Sequence, residues 1–128
     1  MRLAGFGSDS PAREAGSTAS GRTEQAQSRP IDLVHLATQT LGDRSLQQEV
    51  LALFKDQAAS VRGALTAAPQ DERRRLAHGL RGSAGGVGAF VVADCAAELE
   101  HNPAVVDCVS RLQAAIDEVL AFIAKISR

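Results

Sequence analysis

The stretch from Val105 to Ile126, VVDCVSRLQAAIDEVLAFIAKI, decides the fold class. Its apolar residues Val105, Val109, Leu112, Ile116, Val119, Ile123 and Ile126 recur at alternating steps of four and three. On a helix those positions fall in one row, a seam of about three heptads that can only be buried against other helices. The preceding Asn102-Pro103 reads as a cap and first turn for this helix.

Working upstream, Val91, Val92, Cys95, Ala96 and Leu99 give another short amphipathic stretch after a turn at Gly88. Before it, Pro69 opens a helix with Asp71 and Glu72 in its first turn, where carboxylates suit the positive end of the dipole. That helix runs to about Gly86, with Leu76, Leu80, Ala84 and Val87 as one apolar row. Further upstream, Asp43 or Ser45 can cap a helix whose apolar positions are Leu46, Val50, Leu53, Phe54, Ala58, Val61 and Leu65. A short lead helix uses Leu33, Leu36 and Ala37 and ends at Gly42. No segment shows sustained strand alternation. The spacing predicts an all-α domain over residues 30–128, an antiparallel four-helix bundle with a short extra N-terminal helix. Residues 1–29, rich in Ser, Gly, Thr, Gln and Arg without apolar periodicity, read as a disordered N-terminal tail.

Composition narrows the function. The chain has 128 residues, 45% of them hydrophobic, and a formal net charge of -1. No global positive field favours a nucleic-acid partner. Having no Trp or Tyr and only four Phe disfavours stacking platforms for bases or sugars. Two cysteines do not make a disulfide framework. No stretch approaches the ~20 apolar residues that span a bilayer, and the first residues lack a signal peptide's pattern, so the expected location is cytoplasmic.

Within the third helix of the bundle reading, Ala77-His78-Gly79-Leu80-Arg81-Gly82-Ser83-Ala84 combines a histidine with an unusual neighbourhood. His78 lies two residues from both Leu76 and Leu80 and so points away from the apolar row. Arg74, Arg75, Arg81, Gly82, Asp71 and Gly85 share its face, with Ser83 at the row's edge. Gly79, Gly82, Gly85 and Gly86 each cost about 1 kcal/mol in a helix interior. Either the helix ends near Ser83 and the glycines form a loop, or another protein's surface comes close to the backbone there. Imidazole suits group transfer, because its neutral nitrogen is nucleophilic near pH 7. Arg81, one turn on, can offer charge-assisted hydrogen bonds to phosphoryl oxygens, and Arg74 and Arg75 can add to that field or meet an acidic partner. The chain contains no nucleotide-cradling glycine loop, so phosphate must come from and go to other proteins.

The segment from Ala77 to Ala84, followed by Val87-Gly88-Ala89 and Ala97-Glu98-Leu99-Glu100, resembles the histidine phosphotransfer (HPt) domain. The likeness extends in arrangement from about Ile31 to Ile126, including Leu53-Phe54 in the second helix. It implies a four-helix bundle that carries phosphate between a hybrid histidine kinase's receiver domain and a response regulator. By that resemblance His78 is the phosphorylated residue, Arg81 steadies the phosphoryl group and Gly82 gives clearance to the receiver. Ser83 matches the small polar position nearby, and Arg74, Arg75 and Gly85 complete the expected partner surface. The chain is then a free-standing monomeric phosphocarrier without its own ATP-dependent kinase activity. It has no metal or cofactor of its own; Mg2+ is expected in the partner's acidic pocket.

Two other readings remain open at this level. A helical adaptor could dock a receiver or kinase through the same surface without being phosphorylated. A metal site built from Cys95, Glu98 and His101 is a weaker candidate, Cys95 being better suited to the core. His35 reads as a surface or partly buried structural histidine.

Overall fold

The computed structural model describes residues 29–127. Apart from Arg29, the tail assigned to residues 1–29 lies outside the described residues. Helices α1 (Leu33–Gln39), α2 (Arg44–Leu65), α3 (Gln70–Val87), α4 (Phe90–His101) and α5 (Val106–Ile126) follow in order. Among the described residues there are no strands, and the all-helical expectation is borne out.

Local chemistry sets the ends of these helices. Asp32 caps α1 by accepting from the amides of Val34 and His35 at 3.0 and 3.1 Å, and Asp43 caps α2 through the Leu46 amide at 3.0 Å. Between them the chain turns through left-handed backbone at Leu41 (φ 55) and Gly42 (φ 75). Thr40, the buried polar residue of this corner, donates its hydroxyl to Leu36 O at 2.8 Å. Pro69 precedes α3, with Asp71 and Glu72 in the first turn.

The far end of α2 is closed from another helix. The Arg73 guanidinium donates to Leu65 O at 3.0 Å, Thr66 O at 3.0 Å and Pro103 O at 3.1 Å. It thereby satisfies carbonyls that α2 itself cannot pair and ties them to the α4–α5 connection. Asn102 and Pro103 do not start α5 as the sequence suggested. The Asn102 amide group donates back to Glu98 O at 3.1 Å, closing α4, Pro103 is buried, and Val105 is the residue that precedes α5.

The turn between α3 and α4 fixes the hairpin on which the site is built. Gly88 adopts φ 88. The Ala89 amide returns to Ala84 O at 2.8 Å and the Gly88 amide to Gly85 O at 3.3 Å, the paired bonds of a Schellman closure. α3 packs most extensively on α4, α4 on α5, and α2 on both α3 and α5, closing a ring of four with α1 laid against α3.

The core is the seam predicted from α5, shifted at its ends. Val109, Leu112, Ile116, Val119 and Ile123 are buried, joined by Cys108 and Ala115, whereas Val105 and Ile126 are exposed. In α3 the buried row is Ala77, Leu80, Ala84 and Val87; Leu76 is only half-buried beside it. In α2 the row is Leu51, Phe54, Ala58, Val61 and Leu65. Leu46 and Leu53 are exposed, because a second apolar row (46, 50, 53) runs beside the first at the start of that helix. In α4, Val92, Ala96 and Leu99 face inward while Val91 is 40% exposed. α1 contributes buried Leu36 with Leu33 half-buried against the core, and Ile31 just before the helix is fully buried.

Candidate functional site

α3 runs unbroken through Gly79, Gly82, Gly85 and Gly86 to Val87, so the loop alternative for these glycines is set aside. A Cβ built on Gly82, Gly85 or Gly86 would meet nothing within 4 Å, and one on Gly79 only Gln57 Nε2 at 3.9 Å. None of the four has a left-handed φ. Neither backbone conformation nor packing among the described residues calls for glycine there, although each weakens the helix.

His78 stands on this helix with its side chain 66% exposed. Its Nδ1 lies 2.8 Å from Glu100 Oε2, across the hairpin on α4. A carboxylate only accepts, so in the neutral ring Nδ1 carries the proton and Nε2 keeps its lone pair. Arg81, one turn beyond His78, places Nη1 3.0 Å from the other oxygen, Glu100 Oε1. The two form an ion pair without hydrogen-bond alignment: Oε1 is shut off from solvent and accepts no hydrogen bond. The hydrogen bond with His78 holds the Glu100 carboxyl below the ordinary carboxylate value. Partial burial opposes that, and the Arg81 charge adds to it. One carboxylate thus serves two partners, the His78 ring and the Arg81 guanidinium.

The other expected site residues are placed differently. Arg74 pairs with Asp71 at 3.7 Å and Arg75 with Glu72, both within the first turns of α3, so neither is joined to His78. Ser83 donates its hydroxyl to Gly79 O at 3.3 Å. Gly82 and Gly85 leave open space along the helix. On the α2 side of α3 lies a groove of about 360 Å³, lined in part by Leu46, Val50, Leu53, Phe54, Ser83 and Gly86. Its lip residue Leu53 is 71% exposed.

Glu100 was missed as a partner of His78. The signal lay in the spacing: both residues are eleven positions from Ala89, so an antiparallel hairpin turning there sets them side by side. Its neighbours have other duties. Glu98 pairs with Arg111 at 3.0 Å, His101 Nδ1 is 2.9 Å from Ala97 O, and Cys95 is a half-buried thiol raised above its usual value chiefly by burial. Among the described residues, no group of three or more His, Cys, Asp or Glu could hold a metal ion, which overturns the metal reading for Cys95, Glu98 and His101. His35 packs edge-on against Phe90, ring centres 5.1 Å apart. No helix among the described residues is long and apolar enough to cross a membrane.

No curated protein and no solved structure matches the chain. The family model for the Hpt domain matches residues 45–122, from the first turn of α2 to the last turns of α5, and so includes His78, Arg81 and Glu100. Hpt domains interact with receiver domains and serve phosphotransfer in two-component phosphorelays. With well over half of its residues matched, the chain belongs to the Hpt domain family.

Proposed function

We propose that this protein is a phosphorelay intermediate that accepts a phosphoryl group on His78 from a receiver-domain aspartate of a hybrid histidine kinase and passes it to a response regulator. The observation that carries the reading is the pairing of an exposed imidazole with Glu100, which reserves Nδ1 for the proton and leaves Nε2 as the nucleophile. In the transfer the Nε2 lone pair attacks phosphorus, the N–P bond forms as the P–O bond to the partner's aspartate breaks, and the carboxylate leaves on the partner. Arg81 is one turn from the acceptor and can draw up to the phosphoryl oxygens. Gly82 and Gly85 keep the helix surface clear for the incoming domain, and Arg74, Arg75 and Ser83 border it. The chain works as a monomeric cytoplasmic phosphocarrier, needs no cofactor of its own, and relies on Mg2+ held in the receiver's acidic pocket.

The test is incubation of the full chain with a phosphorylated receiver domain, followed by detection of acid-labile, base-stable phosphate. His78→Gln should abolish labelling while leaving the helical circular dichroism intact. Label that survives the substitution, or that never leaves the receiver although the two proteins bind, rejects the reading; the second result would instead fit a docking adaptor.

A further inference from the structure

Glu100 is the only acceptor that the described residues provide for the His78 ring, and the same carboxylate holds Arg81. The two contacts are unequal. Oε2 makes an aligned hydrogen bond with the ring at 2.8 Å; Oε1 faces Arg81 at 3.0 Å without one, although it is closed to solvent. Arg81 is therefore held by an ion pair without an aligned hydrogen bond, with its side chain 41% exposed.

Phosphorylation changes the charges around this carboxylate in a defined way. Attack by neutral Nε2 moves no proton: the ring keeps its Nδ1 proton and gains a unit positive charge, and the phosphoryl group keeps its two negative charges. Glu100 then faces a full cation through a hydrogen bond already in place, which strengthens that bond and diminishes the net charge it offers Arg81. A dianion has meanwhile appeared one helical turn from Arg81. We infer that phosphorylation of His78 passes Arg81 from Glu100 to the phosphoryl group, so that Glu100 is a positioning residue that stations the guanidinium in the resting state and releases it in the phosphorylated one. This rests on the reading of His78 as the phosphate acceptor.

The exchange is read from the side-chain Nε–H signal of Arg81 in the 15N-labelled full chain, before and after treatment with phosphoramidate, a small donor that brings no docking partner. The Arg81 signal should shift on phosphorylation, and Glu100→Gln should move it in the unphosphorylated protein because its anchor is gone. A signal unchanged when His78 is fully phosphorylated, or indifferent to Glu100→Gln, overturns the exchange while leaving His78 as acceptor. Failure of both phosphoramidate and a phosphorylated receiver to label His78 removes the acceptor reading itself, and the exchange with it.

Discussion

The Asp32 amide donates to Gly88 O at 2.9 Å, and the two residues are so close that a Cβ on Gly88 would stand 2.8 Å from Asp32 O. The α3–α4 turn that aligns His78 with Glu100 is thereby locked to the start of α1. Gly88→Ala meets both a left-handed backbone and a rigid carbonyl, and should lower unfolding free energy by about 3 kcal/mol. Gly42→Ala meets the same kind of backbone but open space, and should lose only about 1 kcal/mol. Urea unfolding of both variants checks the difference, and equal losses would show that the Asp32 contact is immaterial.

Arg73 holds three carbonyls from two separate connections. Arg73→Ala strands them and should cost about 2–3 kcal/mol. Arg73→Lys should recover less than half of this, because an ammonium lacks the planar fork that reaches all three. Thermal melts of the two variants decide the point.

Gly82 separates stability from transfer. Gly82→Ala should stabilise the protein by about 0.5–1 kcal/mol, since the helix gains propensity and no neighbour is disturbed. Gly82→Leu should fold as well as the parent yet slow phosphotransfer from a receiver by an order of magnitude or more, roughly the effect of displacing a reacting group by an ångström. Paired melting curves and transfer rates test this; a Leu variant with unchanged rates would show that no surface comes close at that position.

Glu100 supplies a pH signature. Its carboxyl is held low by the hydrogen bond with His78, so its contribution is fully present above the ordinary carboxylate value and fades as pH falls through the depressed folded value. The Glu100 side-chain carbon signal should titrate below the usual carboxylate midpoint. In His78→Ala the midpoint should move back up, because the largest cause of the depression is gone. An unmoved midpoint would assign the depression to Arg81 instead.

Much of this architecture was readable in the residues because helix seams repeat. The steps of four and three in α5 located Val109 to Ile123 correctly, and the reading slipped only at Val105 and Ile126, where the helix ends and exposure rises to 45% and 38%. The slip in α2 has another cause. Two apolar rows start side by side, and helical spacing alone cannot say that the row with Leu51 meets the core while Leu46 and Leu53 border a groove. Of the site, the exposed His78 and the adjacent Arg81 followed from one helix face. Glu100 did not, because its contact lies 22 residues away in sequence and depends on where the hairpin turns. Arg74 and Arg75 stand on α3 as read, and what helical spacing did not bring out is that Asp71 and Glu72, three residues earlier, pair with them.

The glycine-rich second half of α3 has a dynamic consequence. A core helix whose exposed side carries four residues of poor helical propensity has less local free energy to resist fraying than its neighbours. Backbone amides around Gly82 to Gly86 should exchange with deuterated solvent ahead of those in α5, in an opening smaller than global unfolding. The helix just beyond His78 would then be a more pliant stretch than the helices packed around it.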